Sequence, residues 1–454
     1  MFINIILMFF VIIVSFVLFR KAAGTLEINK INLISYIYYL FVAQAFLGSI
    51  LICLGYDKHY TLDKLIYREA SINMATYALW FTLILLPLIM LLIFKLFRFN
   101  SKKEYQHFLD AEVVPGNNAY IFKIIIIIAI IQIGVLLALI IKIGYIPIIK
   151  LVTAGDSFDF ATERIKNKTV SIWGGEYVKN IIVMLGIPVM GYITAAYALV
   201  EKNKKWIALA IVYFVAAFIV KTFDFAKSPL VFHLFIYLLL FLYTRSGKVK
   251  KSLIVGFAAG MAGILVVAYK VTGYDGSFFD IYNGILGRTL FTQMGTLCYH
   301  FDLFPNIFHY LQGRSLSPTI LDLIGKDPES HLRSAKLVMD FYGSDKVYEN
   351  TAGVMNASFI GEAYANWGWG GVLGSIIWVG IILSLLFILV MRIKKTPVTI
   401  AMFAMLTQYM GNASQGGFVD FVYNFSIVAI ILGCLILIYL ENLIEWLKHI
   451  ISKH

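Results

Sequence analysis

A single carboxylate, Glu362, lies at the start of a long apolar stretch, in the segment GEAYANWGWGGVLG (361–374). On a helix, positions three and four apart share a face, so Glu362, Asn366 and Trp369 would form one polar and aromatic stripe. The glycines beside this stripe are explained by helix packing, because small residues let membrane helices approach closely. A carboxylate at such a contact is costly unless it is paired or useful. Glu362 is therefore the first candidate for a general base. The alternative is that Glu362 is an interfacial acid that only faces water.

Three arginines that could hold an anion lie in the only long polar connection of the chain, at about 270–357. Arginine suits bidentate contacts with phosphate oxygens. Three arginines together favour an anion site, although each one could equally be a solvated charge that balances nearby acids. Two histidines of the same segment are the second candidates for the base. These residues are Arg288, Arg314, Arg333, His300 and His331.

Two shorter polar segments add candidates for the same chemistry. The segment KTFDFAKSPL (221–230) contains three charged residues between two apolar stretches. The segment GYIPIIKLVTAGDSFDFATERI (144–165) contains Arg164 near its end. An ordinary turn with interfacial charges explains the first segment equally well. Asp420 lies in a connection without Lys or Arg and is a weaker candidate for an acid. The remaining polar candidates are Lys221, Asp224, Lys227, Tyr364 and Asn366.

The elements that must position these side chains are membrane helices. Of the 454 residues, 60% are hydrophobic and only 14% are charged, whereas about a quarter are charged in soluble domains. The run IFKIIIIIAIIQIGVLLALII (121–141) is long and apolar enough to cross a bilayer. The sequence therefore predicts an all-α polytopic membrane protein with about eleven spans. We place them at roughly 2–19, 33–55, 72–97, 121–147, 178–200, 206–222, 229–244, 253–269, 366–391, 396–412 and 424–444.

Lys and Arg are concentrated in alternate connections between these spans. The odd-numbered loops are all basic, for example EKNKK (201–205) and RSGKVKKS (245–252), whereas loop ten, NASQGGFVDF (412–421), has neither Lys nor Arg. Because Lys and Arg collect in cytoplasmic loops, we expect the N-terminus outside, loop eight (270–357) outside and the C-terminus inside. This bias accounts for the net charge of +12, which does not indicate nucleic-acid binding.

The predicted organisation has three parts. Spans one to eight occupy 1–269, a large and partly helical external loop occupies 270–357, and spans nine to eleven with a short cytoplasmic tail occupy 358–454. The loop contains aromatic and aliphatic residues throughout and no low-complexity run, which favours a folded segment. The three cysteines form no CxxC pair and the chain has no HExxH motif. No disulfide framework, metal site or cofactor is therefore expected.

Three stretches resemble the Wzy-type oligosaccharide repeat-unit polymerases, the O-antigen polymerase group. They are the GYIPII exit followed by Arg164, the hinge FAKSPLVFHLFIYLL (225–239), and ASFIGEAYANWGWGGVLG (357–374). With the eleven-span layout, the similarity covers most of the chain. It implies a GT-C-like, inverting and metal-independent membrane glycosyltransferase. O-antigen ligases share the layout, but their pattern has a histidine just before the Gly–x–x–Gly span, where this chain has Asn356 or Ser358.

The resemblance also implies the reaction and its location. Undecaprenyl-diphosphate-linked oligosaccharides are the expected substrates, and the growing chain passes from its lipid carrier to a sugar hydroxyl of the next lipid-linked unit. The site would face outward from the bacterial cytoplasmic membrane, in contact with membrane lipid and with a polysaccharide chain-length regulator as partner. Preorganised cations suit the diphosphate leaving group. We predict the three arginines of loop eight in this role, with Lys227 and Arg164 in support.

The main alternative from another class is a flippase for lipid-linked oligosaccharides. A transporter needs ionisable residues along a path at mid-membrane depth, and the sequence offers few, chiefly His233. A structural subunit of an envelope complex would depend on no single external arginine or acid. The concentration of polar residues in the predicted outer loops favours the enzyme.

Overall fold

The chain folds as an assembly of helices, as the sequence predicts. In the computed structural model no β-strand occurs among the described residues, and only an isolated bridge pairs Ile172 with Gly175. The all-α class is therefore confirmed. The described residues are 2–115, 118–153, 158–172, 175–271, 279–282, 284–349 and 352–451.

The helices follow one another along the chain with short connections. The amino-terminal half contains α1 Phe2–Ala23, α2 Leu33–Phe41, α3 Leu47–Cys53, α4 Tyr60–Asp63, α5 Arg68–Leu96, α6 Ser101–Asp110, α7 Asn118–Ile143, α8 Pro147–Thr153, α9 Phe160–Thr169, α10 Gly175–Val178, α11 Ile187–Glu201 and α12 Lys204–Lys221. Two π-helical stretches, Val42–Phe46 and Lys179–Gly186, join α2 to α3 and α10 to α11. The remainder contains α13 Ser228–Thr244, α14 Lys251–Val271, α15 Ile285–Leu303, α16 Pro318–Leu323, a 3₁₀ turn Pro328–Ser330, α17 Ser334–Tyr342, α18 Ser344–Tyr348, α19 Ser358–Arg392, α20 Pro397–Gly416, α21 Val419–Val422 and α22 Phe425–Ile451.

Seven helical stretches of the described chain are long and apolar enough to cross a membrane, which agrees with a membrane-embedded protein. Each of the eleven predicted spans falls on a helix, but the number eleven stays a prediction. Helix α12, for example, carries three lysines in 18 residues, and α13 and α14 are shorter apolar helices. The seven stretches are Asn4–Ala23, Leu33–Cys53, Arg68–Leu96, Tyr120–Ile143, Gly175–Glu201, Ser358–Arg392 and Val419–Leu440.

Helix α20 lies at the centre of the bundle and packs against α2, α11, α13, α19 and α22. Its start is well defined, because Thr396 accepts a hydrogen bond from the N–H of Thr399 (3.1 Å) and Pro397 occupies the first turn. Nearly all of its side chains are buried. Small residues permit this close packing: a side chain at Gly411 would overlap the ring of Tyr36. The packing of α20 therefore depends on the match of small residues with the large side chains that face them.

The basic loops meet at one end of the bundle. Ser101 Oγ donates to the Lys21 carbonyl oxygen (2.7 Å), which joins loops three and one. Asn29 Nδ2 donates to the Gly247 carbonyl oxygen (3.0 Å), which adds loop seven. Lys395 Nζ donates to two carbonyl oxygens at the end of α6 (2.9 and 3.0 Å), which adds loop nine. We call this the basic end; the positive charge bias predicts that it faces the cytoplasm.

The even-numbered loops meet at the other end, which we call the loop-eight end. Asp302 accepts hydrogen bonds from two N–H groups that precede α5 (2.8 and 2.7 Å). Arg164 Nε donates to the Asp224 carbonyl oxygen (2.9 Å), so loop four contacts loop six. Gln293 Nε2 donates to the Gln415 carbonyl oxygen (3.0 Å), so α15 is held to the end of α20. The predicted outer loops therefore lie together.

Loop eight contributes a buried helix to the bundle. Within 270–357 the structure describes α15, α16, α17 and α18, while residues 272–278, 283 and 350–351 lie outside the described residues. Helix α15 packs against α3, α5, α19 and the π-helical stretch after α2. A side chain at Gly48 would overlap the carbonyl oxygen of Leu290, so α15 and α3 are in close backbone contact. The first half of the segment is thus part of the helix bundle rather than a separate layer.

Helix α19 begins at Ser358 and is bent at Trp367 (φ −141°, ψ 18°) and Gly368 (φ 60°, ψ −146°). The bend releases the carbonyl oxygens of Ala365 and Asn366 from the helix. These oxygens accept hydrogen bonds from the consecutive N–H groups at 311–312 (2.9 and 3.0 Å). The bend therefore fixes the first turns of α19, which carry Glu362, against loop eight.

We expect Gly368→Ala to destabilise the protein by about 2 kcal/mol. The backbone of Gly368 adopts a conformation that residues with a side chain rarely adopt, and an added Cβ would lie 3.0 Å from the ring of Tyr310. The measurement is thermal unfolding of the purified protein in detergent. Gly370→Ala is the matched control, because Gly370 is helical and no atom lies within 4 Å of its added Cβ. Equal melting temperatures for the two variants would contradict this account of the bend.

Candidate active site

A cavity of about 160 Å³ at the loop-eight end brings four of the predicted residues together. Glu362 reaches it from α19, Asp420 from α21, and His331 and Arg333 from the segment between α16 and α17. The sequence indicates each of these residues separately, and the fold places them around one space. The rest of the lining is Ser315, Ser317, Pro318, Gly417 and Val419.

Glu362 is a buried carboxylate that lines this cavity. It is 5% exposed, and its Oε2 accepts a hydrogen bond from the N–H of Val419 (3.0 Å). Gly417 packs directly against the carboxylate, so that any side chain there would overlap it. No ion pair of Glu362 occurs among the described residues. A carboxylate that is held in place but not neutralised by a close cation can accept a proton from a substrate.

His331 and Arg333 belong to the side of the cavity that loop eight forms. His331 Nδ1 lies 2.7 Å from the Leu316 carbonyl oxygen. Because a carbonyl oxygen only accepts, Nδ1 is the donor in this contact, which leaves Nε2 as the ring nitrogen that could act as a base. Arg333 is exposed, and its Nη2 donates to Oδ1 of Asn356 (3.2 Å). This side of the cavity thus offers a second base, His331, and a cation, Arg333, whose other N–H groups can bind a substrate.

Asn366 positions the turn of α19 that carries Glu362. Its Nδ2 donates to the Glu362 carbonyl oxygen (2.8 Å), and its Oδ1 accepts from the N–H groups of Gly313 (3.0 Å) and Ser315 (3.4 Å). The side chain is 1% exposed. Both ends of the amide are therefore used inside the protein, and Asn366 is a positioning residue rather than a ligand for substrate.

His300 and Tyr364 do not line the cavity. His300 is 0% exposed, its Nδ1 lies 2.9 Å from the Thr296 carbonyl oxygen, and its Nε2 has no hydrogen-bond partner among the described residues. Burial lowers the pKa of His300 to about 4, so the ring stays neutral at physiological pH. Tyr364 stacks on Phe301, with ring centroids 3.8 Å apart. Both are packing residues in this arrangement.

A second group of predicted residues, Arg164, Lys227 and Arg288, forms what we call the cationic cluster. Arg164 is tied to loop six through the Asp224 carbonyl oxygen, Lys227 directly precedes α13, and Arg288 lies in the first turn of α15. Burial, and then the charges of Arg288 and Arg164, lower the pKa of Lys227 to about 8. The three cations therefore share one electrostatic environment, to which three separate parts of the sequence contribute.

The remaining predicted residues occupy other places at the loop-eight end. Arg314 Nε donates to the Leu311 carbonyl oxygen (3.3 Å), and Arg314 lines a separate cavity of about 480 Å³. Lys221 lies between two cavities of about 280 and 370 Å³, and Asp224 lines the second of them. Of the three arginines predicted as one diphosphate clamp, only Arg333 lies with Glu362. The structure thus separates the predicted clamp into several sites.

The sequence indicates Asp420 in loop ten, but it does not indicate the contacts of Gly417 and Val419 with Glu362 or the role of Asp302. The GlyGly pair at 416–417 is visible in the sequence, but nothing there connects it with Glu362, and Val419 is 57 residues away from that acid. Asp302 is a fully buried carboxylate held by several donors. The sequence signal for Asp302 was its position beside apolar residues in a segment predicted to be a loop.

Comparisons with protein-family models, curated proteins and solved structures found no match. Within the described part of the chain, no group of three or more His, Cys, Asp or Glu side chains is placed to hold a metal ion. The proposed function therefore rests on the chemistry of the cavity and of the cationic cluster.

Proposed function

We propose that the chain is a GT-C-like membrane glycosyltransferase that polymerises undecaprenyl-diphosphate-linked oligosaccharide repeat units. It works on the outer face of the bacterial cytoplasmic membrane and transfers the growing chain to a sugar hydroxyl of the next lipid-linked unit. One observation carries the proposal: the buried carboxylate of Glu362 shares a cavity with His331 and Arg333, at the end of the bundle opposite the basic loops. The charge bias of those loops predicts that this end is outside.

The cavity has the groups that an inverting transfer requires. The acceptor hydroxyl attacks the anomeric carbon of the donor, and Glu362 takes the hydroxyl proton as the new C–O bond forms. The bond from the anomeric carbon to the diphosphate breaks, and the diphosphate leaves with the bonding electron pair. Arg333 stabilises the charge that develops on it. Oriented binding of both substrates contributes further to the rate.

Two separate cation groups suit a reaction in which both substrates carry a lipid diphosphate. Arg333 lies at the cavity with Glu362, where the bond is broken. The cationic cluster of Arg164, Lys227 and Arg288 lies elsewhere at the same end of the bundle, where loop four contacts loop six and the charge of Arg288 acts on Lys227. We assign the donor diphosphate to Arg333 and the acceptor diphosphate to the cationic cluster. Each charge-assisted contact would orient one substrate for the transfer.

Acceptor binding is expected to weaken as the pH rises through about 8. The pKa of Lys227 is lowered to about 8, so the side chain is charged below that pH and neutral above it, and only the charged form attracts a diphosphate. We predict that the KM for the lipid-linked acceptor rises several-fold between about pH 7 and about pH 9.5. Lys227→Arg keeps its charge over this range and should remove the dependence. A KM of the wild type that is constant with pH would contradict the assignment.

The flippase alternative has less support from the structure. His233, its chief candidate, lies with Nδ1 2.7 Å from the hydroxyl of Tyr192 and packs against the rings of Phe214 and Tyr237. These contacts are typical of a residue between packed helices, and His233 also lines the cavity of about 280 Å³ with Lys221. The polar groups of the proposed site instead surround the cavity at the loop-eight end.

Deletion of the gene in the source bacterium distinguishes the alternatives. Loss of a polymerase leaves single lipid-linked repeat units on the outer face, where a membrane-impermeant oxidant reaches their sugars in spheroplasts. Loss of a flippase leaves the same units on the inner face, protected from the oxidant. Loss of a ligase leaves long polymer on the lipid. We expect single, oxidant-accessible units, and either of the other two results would overturn the proposal.

A further inference from the structure

A cavity of about 760 Å³ at the basic end plays no part in the proposed function. It lies between α1 and α5, two of the helices that are long and apolar enough to cross a membrane. An apolar wall towards the middle of both helices is formed by Phe16, Val17, Leu91 and Phe94. Phe16 is 46% exposed and Val17 is 51% exposed. The apolar wall is therefore accessible from the side of the bundle that faces the bilayer.

The rim of this cavity carries positive charge that the protein does not neutralise. Glu27 is the only acid in the lining, and it lies 4.0 Å from one of the lysines, Lys30. The other four cations form no side-chain hydrogen bond or ion pair within the described part of the chain. They are Arg20, Lys21, Lys95 and Lys102.

The rim is fixed by contacts between α1 and α6. Ser101 Oγ donates to the Lys21 carbonyl oxygen (2.7 Å), and Gly24 has φ 76°, with the backbone of Lys102 only 2.8 Å from the position of an added Cβ. Asn100, which caps α6, also lines the cavity. The amino-terminal end of this ten-residue helix thus lies at the rim, where its N–H groups favour an anion.

We propose that this cavity binds an anionic phospholipid, with the phosphate among the rim cations and an acyl chain along Phe16, Val17 and Leu91. An apolar wall below a basic rim matches a lipid with a charged headgroup, whereas a soluble anion would use the rim alone. Basic pockets between membrane helices on the cytoplasmic side are suited to anionic headgroups, and the charge bias predicts that side for the basic end. The inference does not depend on the proposed glycosyltransferase activity.

The test is lipid binding by the purified full-length protein, measured by native mass spectrometry in detergent. Phosphatidylglycerol and phosphatidylcholine with identical acyl chains are the two probes. We expect selective retention of phosphatidylglycerol, and about 25-fold weaker binding by the double variant Arg20→Gln/Lys102→Gln, because each cation near the headgroup contributes about fivefold. The matched control is Arg98→Gln/Lys103→Gln, which removes the same charge from neighbouring exposed positions outside the cavity and should bind like the wild type.

A second variant tests the acyl chain separately. Val17→Trp fills the space along the apolar wall and leaves every rim charge in place. It should therefore weaken the binding of phosphatidylglycerol and leave the binding of inorganic pyrophosphate unchanged. Equal losses in the two double variants would show diffuse electrostatic attraction and overturn the site. Equal binding of the two lipids would show that the headgroup is not recognised and would overturn the proposal. If pyrophosphate displaced phosphatidylglycerol fully and Val17→Trp had no effect, the cavity would bind the anion alone and the proposal would also be overturned.

Discussion

Glu362→Gln is expected to lower kcat for glycosyl transfer by about 10²–10⁴-fold, the range contributed by a positioned general base. Glutamine has the same shape and can still accept the hydrogen bond from the N–H of Val419, but its amide cannot take the proton of the acceptor hydroxyl. The KM values should change little, because the substrates bind through their diphosphates and sugars. The measurement is initial-rate kinetics with purified protein and lipid-linked substrates.

Two further variants decide whether the loss belongs to Glu362 itself. Glu104→Gln removes a carboxylate at the basic end, where Glu104 lies 3.8 Å from Arg392, and should leave kcat unchanged. His331→Gln removes the other base that lines the cavity, and we expect a smaller loss. A fully active Glu362→Gln variant beside an inactive His331→Gln variant would contradict the assignment and identify His331 Nε2 as the base.

Asp302→Ala is expected to give the largest loss of stability, at least about 3 kcal/mol in the free energy of unfolding. The Asp302 carboxylate is 0% exposed, and its removal leaves four donors without their acceptor. These donors join the start of α5 and helix α17 to α15. They are the N–H groups of Ile66 (2.8 Å) and Tyr67 (2.7 Å) and the hydroxyls of Ser71 (2.7 Å) and Tyr342 (2.5 Å).

Thermal unfolding in detergent measures this loss of stability, and two further variants serve as comparisons. Asp340→Ala removes a half-exposed carboxylate whose one ion pair within the described residues is with Lys336 at the surface, so its melting temperature should stay close to that of the wild type. Tyr342→Phe removes one donor and keeps the carboxylate, so about 1 kcal/mol is expected. A melting temperature of Asp302→Ala equal to that of Asp340→Ala would show that the four hydrogen bonds do not hold the loop-eight end together.

The helical class and the positions of the helices follow from local sequence properties. Long apolar runs have no other stable form in a bilayer, because each backbone N–H and C=O must be paired within the helix. The excess of Lys and Arg in the odd-numbered loops likewise reflects a property of each loop by itself. Lys395 joins loop nine to the end of α6 in loop three, and Arg164 joins loop four to loop six, so odd-numbered loops contact odd-numbered loops and even-numbered loops contact even-numbered ones.

The burial of α15 could not be predicted in the same way. Its sequence, ILGRTLFTQMGTLCYHFDL, mixes polar and apolar residues and is typical of an interfacial or re-entrant helix. The structure buries it because its polar groups have partners in other parts of the chain: Asp302 accepts from residues before α5, and Gln293 donates to Gln415. Such pairings join positions far apart in sequence, so no local pattern reports them.

The candidate site was predictable in its members but not in its grouping. Glu362 was conspicuous as an acid next to an apolar run, and Arg333 as one of a few arginines in loop eight. Their common cavity with Asp420 depends on how loop ten folds back over α19. Arg288 seemed equivalent to Arg333 in the sequence, yet α15 carries it to the cationic cluster, where its charge acts on Lys227.

The most direct test of the proposed function is a reconstituted reaction. Single lipid-linked repeat units, extracted from the deletion strain, are added to purified wild-type protein in proteoliposomes, and the products are sized and assayed for free undecaprenyl diphosphate. The proposal predicts a ladder of polymers and the release of one undecaprenyl diphosphate for each glycosidic bond formed. Repeat units that cross the bilayer unchanged, with no ladder and no released diphosphate, would contradict it.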